Sequence, residues 1–178
     1  MLRRLRETGP VVLVPLAWTF ATAAHLRLLE PRTVLVAHLV MDVLLFAFAA
    51  LSWGDMREHP VLRAWLAVIV AGLGITLVGT YALVTNGSET LLRATVFGWM
   101  LVPAVALVYT GRLLPPDESP GVYTGGGVLS ALGAVVFLDA TLAGPVSALL
   151  AGTDPTLLAL ALVGVGQTAG IVNAVVQY

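Results

Sequence analysis

The sequence contains no cysteine and no lysine, and it has few charged residues of any kind. Without cysteine, the chain has no disulfide, no thiolate metal site and no cysteine nucleophile. Charged residues make up 11% of the chain, whereas soluble domains carry about 25%. A water-facing surface cannot be covered with so few charges, so lipid is expected to be the solvent for most of the molecule.

Nucleic-acid binding and hydrolytic catalysis receive no support from the sequence. The net charge is −1 and no dense basic block is present, so the electrostatic signature of a nucleic-acid partner is missing. The sequence lacks a zinc-protease helix motif, a phosphate-binding glycine loop and a Ser-His-Asp set. An enzymatic role is therefore not favoured, and no particular cofactor is indicated.

Long apolar runs dominate the sequence, in which 58% of the residues are hydrophobic. About 20 mainly apolar residues are needed to cross a hydrocarbon core of about 30 Å. Six runs meet this requirement: residues 10–29, 33–53, 61–84, 91–111, 122–145 and 156–176. Because the runs are continuous and not alternating, they favour helices over a barrel. We expect one all-α domain over residues 1–178, an integral membrane bundle of six transmembrane helices with successive helices as antiparallel neighbours.

The arginines predict the orientation of this bundle in the cell membrane. Six fall on one side and three on the other: Arg3, Arg4, Arg6, Arg57, Arg63 and Arg112 against Arg27, Arg32 and Arg93. The richer side is expected to be cytoplasmic, which puts the N-terminus inside. The basic start and residues 21–23 would also suit a signal peptide, but the apolar run continues without a break to Leu29.

Two pairs of similar segments suggest an internal repeat. Residues 27–31 resemble residues 112–116, and residues 72–76 resemble residues 164–168. A three-plus-three duplication would make the second half an inverted copy of the first, as in many transporters. The alternative is coincidence among abundant leucine, glycine and arginine.

Four ionisable residues fall well inside the predicted spans: His25, His38, Asp42 and Asp139. A charged group at the bilayer centre costs about 2.5–3.5 kcal/mol on insertion scales, so such groups usually face protein or water. Asp42 is predicted near mid-membrane, with His38 one helical turn away on the same face. We expect His25 to face this pair across the first hairpin, and Arg93 to pair with Asp42 or Asp139.

The leading hypothesis is a protein that binds or transports a small solute, proton or ion through Asp42, His38, Asp139 and Arg93. Burial favours the neutral forms of both Asp and His, so a coupled pair could exchange a proton near neutral pH. Asp42 could instead act as packing glue, hydrogen-bonded to a neighbouring helix.

Two other functions remain open at the level of sequence. His25, His38 and Asp42 would suit a metal site, and the two histidines alone would suit haem or a quinone in a membrane redox protein. The chain could also be a structural subunit of a larger membrane complex. Beyond the lipid bilayer, partners would then be further copies of the chain or the other subunits.

Overall fold

The computed structural model describes residues 2–85, 87–150 and 152–177, and within these residues the chain is helical without strands. Seven α-helices follow in order: α1 (Leu2–His25), α2 (Pro31–Met56), α3 (Pro60–Val84), α4 (Glu89–Leu113), α5 (Pro120–Thr141), the short α6 (Pro145–Leu149) and α7 (Pro155–Gln177). A 3-10 turn over Pro116–Glu118 precedes α5. The all-α prediction is confirmed.

Proline and serine determine where most of these helices begin. α2, α3, α5 and α6 each carry proline in the first turn, where the missing N–H would have no helical partner anyway. α4 begins differently, because the Ser88 hydroxyl accepts a hydrogen bond from the Thr90 amide at 3.2 Å. This is a side-chain N-cap, which satisfies one amide of the first turn.

Within the described parts of the chain, five helices are long and apolar enough to cross a membrane: α2, α3, α4, α5 and α7. In α1, the apolar part is the shorter segment Val11–His25. The protein is therefore a multi-pass membrane bundle. The predicted orientation partly depends on Arg3, Arg4 and Arg6. The side chains of these three residues lie outside what the structure describes.

The helices pack side by side in the order α2, α3, α4, α5, α7, α1, and α4 also touches α7. Over their described residues, α1 and α2 do not pack along their lengths, although only residues 26–30 connect them. The expectation that every pair of successive helices would be neighbours is wrong for this pair. The reason is that α1 binds α7, where its buried Trp18 indole donates to Gln167.

This packing order does not resemble two equivalent halves. In a three-plus-three duplication, α1 and α2 would correspond to α4 and α5. The second pair packs closely and the first does not. The arrangement therefore gives the repeat no support.

Glycines allow a close contact between α5 and α7. A Cβ atom on Gly133 would stand 2.8 Å from the Ala159 carbonyl oxygen, and one on Gly166 would stand 3.1 Å from the Ser130 amide nitrogen. Small residues allow such an approach, which is a common way to associate helices in lipid. The α5–α7 pair makes the most extensive helix contact among the described residues.

Candidate functional site

Asp42 is the buried carboxylate of this bundle, with only 9% of its surface exposed. It lies on the face of α2 that packs against α3, together with the buried Leu45 and Ala49. Its Oδ2 atom accepts a hydrogen bond of 2.7 Å from the Thr80 hydroxyl of α3. Its Oδ1 atom is buried and has no hydrogen-bond partner among the residues that the structure describes. Only one of the two carboxyl oxygens is therefore hydrogen-bonded within the described residues.

His38 lies one turn before Asp42 on the same face of α2. Its Nδ1 atom is 3.0 Å from the Val34 carbonyl oxygen, which can only accept, so Nδ1 carries a proton. In the neutral ring, the lone pair is then on Nε2. That atom lies against Gly79 of α3, where an added Cβ would stand 3.0 Å away.

The glycines of α3 make room for side chains from both neighbouring helices. Gly79 accommodates the His38 ring of α2 and the Thr95 methyl group of α4, whereas Gly72 accommodates the Trp99 indole of α4. The Trp99 indole also donates to the Thr76 hydroxyl at 3.0 Å. This stripe of small residues therefore brings α2 and α4 close to α3.

Asp139 has a local structural role at the end of α5. Its carboxylate accepts hydrogen bonds from the amides of Val146 at 3.3 Å and Ser147 at 2.7 Å. These are amides of the first turn of α6, so Asp139 caps that helix. This role could not be predicted from the sequence, because no pattern indicated that a separate short helix begins at Pro145.

Arg93 pairs with a residue of its own helix. Its guanidinium donates to Glu89 at 2.6 Å, and both side chains are exposed, at 44% and 76%. The expected pairing of Arg93 with Asp42 or Asp139 is not what the structure contains. The i,i+4 neighbour is reached without crossing the bundle, and both charges remain in a polar setting.

His25 is directed to α7 and not to α2. Its Nε2 atom is 2.8 Å from Asp154 Oδ2, while Asp154 Oδ1 accepts from the Thr156 amide at 2.8 Å as a helix cap. The hydrogen bond from His25 is the main reason why the pKa of Asp154 lies below its ordinary value. This contact joins the end of α1 to the beginning of α7.

The structure therefore does not bring His25, His38 and Asp42 together. His25 lies between α1 and α7, whereas the other two lie between α2 and α3. Among the described residues, no group of three His, Asp or Glu side chains could hold a metal ion. The redox hypothesis loses the geometric basis that it had in the sequence.

The second polar cluster of the bundle surrounds Gln167 of α7, which is 4% exposed. Its side-chain oxygen accepts from the Trp18 indole at 3.0 Å. Its amide nitrogen donates to the Trp99 carbonyl at 3.0 Å and to the Ser130 hydroxyl at 3.1 Å. These contacts join α1, α4, α5 and α7, so the cluster acts as a packing element.

Comparison with protein-family models, with curated proteins and with solved structures gives no match for the chain.

Proposed function

We propose that the protein binds a proton or a small cation at Asp42, between α2 and α3, and moves it across the membrane. The observation that carries this proposal is the buried Oδ1 atom of Asp42, which has no partner among the described residues. Burying an unpaired carboxylate oxygen in lipid is costly. The unpaired oxygen is explained if Asp42 binds a ligand there, because the ligand would then offset the free-energy cost of its burial.

The packing-glue alternative explains less of the geometry. A carboxyl group that served only to join helices would be expected to use both oxygens in hydrogen bonds, as Gln167 does with its amide. Asp42 uses one, toward Thr80. The proposed ligand is what the second oxygen would bind.

The position of α2 also supports a site that opens and closes. α2 packs mainly against α3, and only 6% of its apolar core segment is buried inside the bundle. The α2–α3 interface is therefore the main one that has to open for α2 to move away from α3 and expose Asp42. Transport proteins commonly work by such movement of one element against another.

A liposome assay tests this function. The full chain is reconstituted, and proton, Na⁺ and K⁺ fluxes are followed under imposed gradients. Wild-type protein should carry at least one of them, Asp42→Asn should fall to the rate of empty liposomes, and Asp117→Asn, the same change in an exposed loop, should match wild type. A wild type no faster than empty liposomes, or an active Asp42→Asn, would reject the proposal.

The proposed topology has α1 as a sixth span, with the N-terminus cytoplasmic and the beginning of α2 on the outer side. The arginine distribution supports it. Because the chain has no cysteine, a single introduced cysteine shows directly on which side of the membrane its position lies. Leu28→Cys should react with an impermeant thiol reagent in intact cells, and Asp117→Cys only after permeabilisation; the opposite pattern would reverse the orientation.

A further inference from the structure

We infer that the ligand of Asp42 is a proton, held on Oδ1, and that His38 delivers it from the α2 N-terminal side. This inference rests on the proposed function and specifies its ligand. The starting point is that Oδ1 lacks a donor while Oδ2 is already bound by Thr80 at 2.7 Å. A proton on Oδ1 removes the buried negative charge without requiring any further ligand.

The surroundings of Asp42 suit a proton better than a metal cation. Ions such as Ca²⁺ or Mg²⁺ take about six or more oxygen ligands. Beside its own two oxygens, Asp42 is contacted by one hydroxyl, that of Thr80, which points its hydrogen at the carboxyl group. Among the described residues, Asp42 belongs to no group of three or more His, Asp or Glu side chains that could hold a metal ion.

The charges facing this interface also favour a neutral Asp42. On α2, the titratable neighbour is His38. On α3, Gly79 and Thr80 contact α2, and the titratable Arg63 and Tyr81 are exposed. On α4, Thr95 faces the same contact. No described cation forms an ion pair with Asp42, so the Thr80 hydroxyl is the one described group that compensates an ionised carboxylate.

His38 is placed to pass the proton. It lies four residues nearer the beginning of α2, or about 6 Å along the axis, and it is half-buried. Its Nδ1 proton is fixed by Val34, so Nε2 is the atom that accepts and releases a proton. In the transfer, hydronium gives its proton to Nε2 and becomes water. Because Oδ1 has no direct hydrogen-bond partner, the proton passes from Nε2 to Oδ1 through one bridging water, which takes the Nε2 proton and gives one of its own to Oδ1. An O–H bond forms at Oδ1 and the carboxylate charge disappears.

Infrared difference spectroscopy between acidic and alkaline buffer tests the ligand directly. We expect a carbonyl stretch of a protonated carboxylic acid that is absent in Asp42→Asn and retained in Asp117→Asn. Replacing choline by Na⁺ at constant pH should leave this band unchanged. Absence of an Asp42-dependent band at every pH, or its removal by Na⁺, would overturn the inference.

Thr80→Val provides a second readout that keeps Asp42 in place. Thr80 donates to Oδ2, which is the carbonyl oxygen when Oδ1 carries the proton. Loss of this hydrogen bond should raise the frequency of the band without removing it. An unshifted band would mean that the observed acid is not the one bound by Thr80, and would reject the assignment.

The delivery role of His38 is tested by the rate of proton exchange after a pH jump. His38→Gln should slow the appearance of the band by roughly 100-fold, the lower end of what a positioned acid–base group contributes to proton transfer, with unchanged final amplitude. His59→Gln, in the exposed loop before α3, is the matched control. An unchanged rate in His38→Gln would refute delivery by this residue.

The two proposals fail in different ways. An Asp42-dependent infrared band without any liposome flux would support the proton site and reject transport. A flux of Na⁺ or K⁺ that depends on Asp42, without a protonated-acid band, would leave transport standing and reject the proton.

Discussion

The side-chain amide of Gln167 donates to the main-chain carbonyl of Trp99 at 3.0 Å. That carbonyl would normally accept from the amide of residue 103, but residue 103 is proline and has no N–H. In lipid, no water is available to replace the lost donor. Gln167 therefore supplies from α7 the hydrogen bond that α4 cannot make for itself.

This relationship predicts a coupling between Gln167 and Pro103. Gln167→Leu should lower the free energy of unfolding by about 1–3 kcal/mol, because the Trp99 carbonyl and the Trp18 indole both lose partners. In a Pro103→Ala background the same change should cost less, since the amide of residue 103 again donates to Trp99. Reversible denaturation in detergent, followed by circular dichroism, measures all four proteins of the cycle. Equal costs in both backgrounds would contradict the explanation.

Two glycines of α3 offer a matched test of close packing. A Cβ on Gly72 would stand 2.7 Å from Cζ2 of the Trp99 indole, whereas a Cβ on Gly74 would have no neighbour within 4 Å. Gly72→Ala should destabilise the protein by about 1–3 kcal/mol through overpacking. Gly74→Ala should be neutral or stabilising by up to about 1 kcal/mol, because alanine is the better helix former. Thermal unfolding of both variants measures the two stability changes. Equal changes in Gly72→Ala and Gly74→Ala would argue against the close contact between Gly72 and Trp99.

Asp139 should affect stability and not flux. Asp139→Ala removes the cap of α6 and should cost about 0.5–2 kcal/mol. Because its carboxylate is already engaged by two amides, proton and cation flux in liposomes should remain at the wild-type level. A loss of flux at unchanged stability would place Asp139 in the transport pathway, as the sequence suggested.

The contact between His25 and Asp154 should give a pH-dependent contribution to stability. The pKa of Asp154 is lower in the folded protein than its ordinary 3.8, chiefly through this hydrogen bond. The stabilisation is therefore complete above that ordinary value and is lost as the pH falls through the folded pKa. Because the side chains are 33% and 40% exposed, it should amount to about 1 kcal/mol or less.

The measurement compares wild type with Asp154→Asn and with His25→Gln. Both variants should be slightly less stable than wild type near neutral pH, and the difference should close below the ordinary Asp154 pKa. The double variant should lose less stability than the sum of the two single losses, because both single variants remove the same contact. A difference that persists in strong acid would show that the contact does not depend on ionised Asp154.

The sequence was most informative where the signal is local. The apolar runs predicted α2, α3, α4, α5 and α7, because hydropathy alone decides whether a segment prefers lipid. It also identified Asp42 as an intramembrane carboxylate. Its partner Thr80 could not be identified, since threonines are frequent in these helices and their pairing depends on the rotation of α3 relative to α2.

The pairing of α1 could not be predicted for a similar reason. A short connection between two helices normally makes them neighbours, and this rule led to the expectation that His25 faces His38. The rule fails because Trp18 and His25 find better partners on α7, in Gln167 and Asp154. Such side-chain complementarity between distant segments has no periodicity that a single sequence would reveal.

The order of helices in space has a consequence for biosynthesis. Trp18 and its partner Gln167 are separated by 149 residues, so at about 5–20 residues per second their synthesis is separated by roughly 7–30 s. If α1 is the proposed sixth span, it would sit in the bilayer during that interval with the Trp18 indole N–H unpaired, since the helix that will bind it has not yet been made. The earliest helix is thus among the last to join the fold, and a nascent chain halted before α7 would present α1 as an unassembled segment to membrane quality control.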